Sequence, residues 1–180
     1  AELFGPIARL ETNPPFYYGA IKAWTALAGG SDLALRLPSV LAGLGAIAAT
    51  WLLAARGFGH RAAFWSALML AITAWHVFQS REARAYALVG LLYALGLLAA
   101  RALAGTGREE TGRRLAAAAA LAVCGAGAAY AHYSGILVAA SAHLYGLCLL
   151  LVRRQFGLRG LLWFVASGAA CLALSVPVLA

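Results

Sequence analysis

Ionisable residues are scarce in this 180-residue chain. Only 11% of it is Asp, Glu, Lys or Arg, against roughly 25% in an ordinary soluble domain, a shortage that excludes a surface solvated on all sides. Acids are rarest: Glu2, Glu11, Asp32, Glu82, Glu109 and Glu110 are all there are, and Lys22 is the one lysine beside thirteen arginines. The three cysteines, Cys124, Cys148 and Cys171, fall in apolar segments with no Cys-x-x-Cys spacing. They support neither a disulfide framework nor a zinc site, and core packing is their expected role. His60, His76 and His143 likewise lack partners at metal-ligand spacing. The first residue is Ala1, with no charged stretch and short apolar core behind it, so the start does not read as a signal peptide. A further span is expected to precede it.

What the chain has in abundance is apolar sequence: 63% of it is hydrophobic, with a mean hydropathy of +0.82. That composition defines a polytopic membrane protein. Windows of about 19 residues place spans near 38–55, 62–78, 85–103, 115–131, 136–152 and 161–179. The fold expected is an all-α transmembrane bundle of about six spans. Gly125, Gly127 and the alanines at 116–120 suit close helix packing.

Arginine placement gives orientation. Arg56 and Arg61 follow the first span, Arg101, Arg108, Arg113 and Arg114 the third, and Arg153, Arg154 and Arg159 the fifth. Those connections are expected to be cytoplasmic. By parity the outer face receives residues 1–37, the loop at 79–84 and the turn at 130–135. Two regions follow: an extracytoplasmic loop over 1–37, and a bundle over 38–180 expected to be incomplete at both ends. The net charge of +8 is then mostly topological arginine facing anionic lipid, and nucleic acid is not an expected partner.

Three outer segments hold the remaining polar chemistry. Asn13-Pro14-Pro15-Phe16-Tyr17-Tyr18 is a helix start, with Asn13 as cap and Pro14 at the first position. The helix should run to about Leu27, too short to span and rich in interfacial aromatics. Leu35-Arg36-Leu37-Pro38-Ser39 leads into the first span, whose start Pro38 supplies. Arg36 there suits a phosphate or is an interfacial snorkelling residue. Gln79-Ser80-Arg81-Glu82-Ala83-Arg84-Ala85-Tyr86 packs three charges between two apolar runs, as a phosphate-binding loop or a salt-bridged turn. A helix from near Glu82 would carry Tyr86 one turn along, its ring suited to a sugar face or to the interface. His132 and Tyr133, at the next outer turn, suit hydrogen bonds to a substrate or a structural role.

Taken together, Asn-Pro-Pro-Phe-Tyr-Tyr at 13–18, Leu-Arg-Leu-Pro-Ser at 35–39, Ser-Arg-Glu-Ala-Arg-Ala-Tyr-Ala-Leu at 80–88 and Tyr-Ala-His-Tyr-Ser-Gly at 130–135 resemble a known pattern. It is that of the bacterial membrane glycosyltransferases related to protein O-mannosyltransferases and to the aminoarabinose transferase of lipid A. Family members read His-Pro-Pro where this chain has Asn13-Pro14-Pro15, and Gln-Glu-Ala-Arg where it has Arg81-Glu82-Ala83-Arg84. The resemblance implies a GT-C glycosyltransferase in the bacterial plasma membrane, moving a sugar from a polyprenyl-phosphate donor to a lipid, glycan or protein acceptor on the outer face. The candidate substrate-binding residues are Asn13, Tyr17, Arg36, Glu82, Arg84, Tyr86, His132 and Tyr133, with Arg36 and Arg84 as cations for the phosphate and Glu82 as an orienting partner or sugar-hydroxyl acceptor. The family's acidic catalytic residue belongs to an outer loop ahead of Ala1. Glu11 is a secondary candidate for that role, and the 180 residues alone are expected to be inactive. No cofactor is implied, and a divalent metal is left open. The competing functions are a lipid transporter or flippase, whose signature would be ionisable residues or broken helices near mid-span, and a non-catalytic scaffold.

Overall fold

The computed structural model describes residues 16–105, 110–152 and 158–179, and all their regular structure is helical. The helices are α1 (Phe16–Ala28), α2 (Asp32–Phe58), α3 (His60–Ile72), α4 (Ala74–Arg81), α5 (Tyr86–Gly105), α6 (Thr111–Ala131), α7 (Gly135–Val152) and α8 (Leu158–Leu179). Five of them, α2 and α5 to α8, are long and apolar enough to cross a bilayer. The pair α3 and α4, bent by 60° at its break, returns the chain to the end where α2 began, since Arg36 on the first turns of α2 bonds the last residue of α4. With the bent pair counted as one span, the described residues hold six candidate passages. The short helix expected ahead of the first span is α1, with Phe16 and Tyr18 exposed and Tyr17 buried.

Three local expectations are corrected. First, Pro38 does not start the first span. Helix α2 begins six residues earlier, capped by Ser31, whose hydroxyl accepts from Ala34 N at 3.2 Å. Pro38 lies inside the helix and has no N–H for the carbonyl of Ala34 four residues back. That carbonyl accepts instead from the Trp24 indole N–H at 2.8 Å, so α1 supplies the missing donor. Second, the span at 62–78 is not continuous. Thr73 is extended (φ −65°, ψ 117°), and its hydroxyl donates to Met69 O at 2.6 Å, a back-bond that competes with the helical ladder and bends it. Third, no helix starts at Glu82. Residues 82–85 form a turn and α5 begins at Tyr86. The connection between α2 and α3 is Gly59 alone, at φ +87°, a conformation natural only to glycine.

The interior is built from small residues and the lipid-facing surface from large ones, the inverse of a soluble domain. Ala100, Ala118, Ala142 and Leu121 pack with Leu103, Leu150 and Phe164 between α5, α6, α7 and α8, while Leu44, Phe64, Met69, Leu137 and Leu172 are exposed. Without a hydrophobic drive between helices in lipid, close backbone approach and interhelical hydrogen bonds hold the bundle. At Gly125 an added Cβ would lie 2.7 Å from Cys171 Sγ and 2.9 Å from Ala139 Cβ. Cys171 is buried there, Cys124 is half-buried and Cys148 is exposed. Ser167 on α8 donates to Ala118 O on α6 at 3.1 Å and meets Nε2 of His143 on α7 at 3.2 Å, tying three helices through one hydroxyl.

Candidate functional site

One end of the bundle gathers the start of α1, the first turns of α2, the turn at 82–85 and the turn between α6 and α7. The turn at 82–85 is irregular backbone, so its polar groups need partners from elsewhere. Arg36 and Ser39, three residues apart and therefore on one face of α2, provide them. Arg36 Nη1 donates to Arg81 O at 3.1 Å, and Ser39 Oγ donates to Arg84 O at 3.3 Å. The Tyr17 hydroxyl lies 3.3 Å from the same Ser39 Oγ, giving a chain from the Tyr17 phenol through the serine to the Arg84 carbonyl. Within the turn, Arg84 N donates to Glu82 O at 2.8 Å.

Burial pushes the Tyr17 phenol above its ordinary pKa, a rise that the bond to Ser39 partly offsets. The neutral form is thus favoured in the folded protein, and the stability it contributes is present below about pH 10 and lost as pH rises through the elevated value. Ser39→Ala should strip both Tyr17 and Arg84 O of their partner, at about 1–3 kcal/mol. A lower unfolding midpoint in detergent checks this, and an unchanged midpoint would show that the chain is dispensable.

A cleft of about 100 Å³ opens on this scaffold, lined by Tyr17, Tyr18, Arg84, Ala85, Tyr86, Ala131 and His132. Among the described residues its lining has one cation and no carboxylate, and so favours an anion. The His132 ring sits 5.1 Å from that of Tyr86. Its Nδ1 accepts from Ser134 N at 3.1 Å, and a backbone N–H can only donate. In the neutral imidazole the proton therefore resides on Nε2, making His132 a donor at that atom. Beneath the cleft, Tyr17, Ala85, Val89 and Ala131 form a small core.

Arg84 and Tyr86 also line a second and larger cavity of about 540 Å³, between the bent pair and α5. Its walls include Leu70, Thr73, Trp75, Phe78 and Val89. His76 lines it too, and the ring's buried Nε2 has no hydrogen-bond partner. The groove exists because α3 and α4 bend away at Thr73, and α4 is seated on α2 at Gly43, where an added Cβ would come within 2.8 Å of Ser80 Cβ.

Of the residues singled out from the sequence, Tyr17, Arg84, Tyr86 and His132 meet at the cleft. Arg36 stands beside it but engages backbone rather than the cavity. Glu82 enters no ion pair among the described residues, and Tyr133, 45% exposed, does not line the cleft. Asn13, Glu11 and the expected helix start at Pro14 lie outside the described residues. Sequence reasoning missed Tyr18 and the groove residues Trp75, His76 and Gln79. The spacing of His76, Gln79 and Ser80, on one helical face, was the available signal. Among the described residues no group of three His, Cys, Asp or Glu side chains is placed to hold a metal ion.

An anion-attracting cleft at one end of a multi-pass helical bundle, continuous with an apolar groove, defines a membrane protein suited to a polar group carried on a lipid. Residues 12–180 match the family of dolichyl-phosphate-mannose-protein mannosyltransferases, and the chain belongs to that family. It is therefore a membrane glycosyltransferase of the GT-C type, working with a lipid-linked sugar donor. No curated protein and no solved structure matches it.

Proposed function

We propose that the protein transfers a sugar from a polyprenyl-phosphate donor to a lipid, glycan or protein acceptor on the outer face of the bacterial plasma membrane. The observation that carries this reading is the position of Arg84 and Tyr86, shared between the polar cleft and the apolar groove. A lipid-phosphate sugar needs that sequence of environments: an apolar wall for the chain, a cation at the phosphate, aromatic and hydroxyl groups at the sugar. In the transfer the acceptor oxygen forms its bond to the sugar's anomeric carbon as the bond to phosphate breaks. The electron pair leaves on the polyprenyl phosphate, where Arg84 and the Nε2–H of His132 offset the growing negative charge. Tyr86 and Tyr18 give the sugar a face to rest on. The acceptor's proton goes to a carboxylate, and among the described residues none lines the cleft. The outward orientation is supported by the arginine count of the alternate connections, nine arginines against Glu109 and Glu110.

The break at Thr73 is the one observation that favours a lipid transporter, because irregular backbone at membrane depth belongs beside a cavity. In the transferase reading the same break shapes the donor's groove. A polyprenyl-phosphate sugar with a photoactivatable group in its first isoprene unit and a label on the sugar separates the two. Crosslinks should fall within residues 70–90, and labelled sugar should appear on an acceptor. Crosslinks confined to other helices would sink the groove assignment, while labelled donor recovered intact in the opposite leaflet would establish transport.

A further inference from the structure

We infer that the arginine-rich end of the bundle holds a groove for an anionic phospholipid, separate from the cleft. The groove, about 440 Å³, runs between α6 and α8 and is lined by Thr111, Arg114, Arg159, Leu162, Trp163 and Ala166. These two helices run parallel and pack directly, as the bond from Ser167 to Ala118 O shows. Each starts at this end and brings one arginine to the groove within its first turn. The walls change character with depth. Arg114, Arg159 and Thr111 form the rim, and Ala166, seven residues beyond Arg159, lies about 10 Å deeper by helical rise. A phosphodiester fits the rim, and an acyl chain fits the wall of Leu162 and Ala166, with the Trp163 indole at the boundary where such rings favour the headgroup layer. A free anion would use only the upper half.

Charge complementarity selects the headgroup. Among the described residues no carboxylate lines the groove, and Glu110, the described carboxylate at this end, is engaged by Arg113 at 3.1 Å. Basic pockets between transmembrane helices bind anionic headgroups for this reason. The groove lies at the start of α6 and the cleft at its end, about 30 Å apart along the helix, so a lipid here is not the donor in transit through the site.

The test uses the full chain in phosphatidylcholine nanodiscs containing a minor fraction of phosphatidylglycerol or phosphatidylcholine with a diazirine in the acyl chain, with crosslinked peptides mapped by mass spectrometry. Two arginines at the headgroup should favour labelling of residues 159–166 by the anionic lipid roughly tenfold or more. Arg114→Gln with Arg159→Gln should erase that preference, whereas Arg61→Gln, at the same end but outside the groove, should leave it intact. Equal labelling of the unaltered protein by both lipids overturns the proposal without any variant. So does an equal loss in Arg61→Gln, which would mean diffuse surface attraction. Displacement by millimolar inorganic phosphate would identify a free-anion site and overturn the lipid assignment.

Discussion

Arg84→Ala should lower sugar transfer by tenfold to a hundredfold in membranes holding equal amounts of protein, while Arg61→Ala leaves it unchanged. A charge-assisted hydrogen bond contributes about 1.5–3 kcal/mol, and each 1.4 kcal/mol is a factor of ten in rate. The bond that Arg84 makes to Ser39 uses its backbone carbonyl, and its side chain is exposed, so the alanine variant retains what holds the turn. The loss should appear in kcat as well as kcat/KM, because charge on the departing phosphate grows only toward the transition state. Arg84→Lys should recover part of the rate. An alanine variant as active as the parent would remove Arg84 from the chemistry. One that is merely poorly expressed would make it a folding residue.

Gly135→Ala should be among the most damaging single methyls at the described glycines. A Cβ at 135 would coincide with the backbone carbonyl of Ala128 and the amide nitrogen of Ala129, and neither can swing aside as a side-chain end could. The turn from α6 to α7 spans only His132, Tyr133 and Ser134, so the overlap must be relieved by parting the two helices. The cost is about 3 kcal/mol or more, and His132 moves off Tyr86 with it. Near-complete loss of transfer and of the folded fraction in detergent is expected. Gly112→Ala, where an added Cβ meets nothing within 4 Å, should be neutral or mildly stabilising. Comparable behaviour of the two variants would show that the turn has room that its geometry denies.

The sequence was most legible where one physical rule dominates. Span positions follow from hydropathy alone: the expected 115–131, 136–152 and 161–179 differ from α6, α7 and α8 by four residues or fewer. The meeting of Tyr17, Arg84, Tyr86 and His132 was foreseeable because short connections force alternate turns to one end. It failed where a local signal is answered from another helix. Pro38 looked like a helix start because a proline lacks a donor, yet Trp24, fourteen residues earlier, provides one. Glu82 looked like a helix start because charges end an apolar run, yet Arg36 and Ser39 hold that segment as a turn. Thr73 gave little warning of the bend, since a lone threonine in an apolar run usually leaves a helix intact. The groove was invisible for the same reason, being the space that the bend leaves.

Helix α1 meets α2 at two teeth. Tyr17 and Trp24 are seven residues apart, two turns along one face, and they seat on Ser39 and on the Ala34 carbonyl. Sliding α1 along its axis by one turn, or rolling it, disengages both together, so the helix has a single register against the span. A lid held at one point can swing; one keyed at two points about 10 Å apart keeps its tilt. The wall that Tyr17 and Tyr18 give the cleft therefore stays in place as substrates come and go, and the exchange of long lipid chains that the proposed donor requires falls to the side, where α3 and α4 are joined only through Thr73.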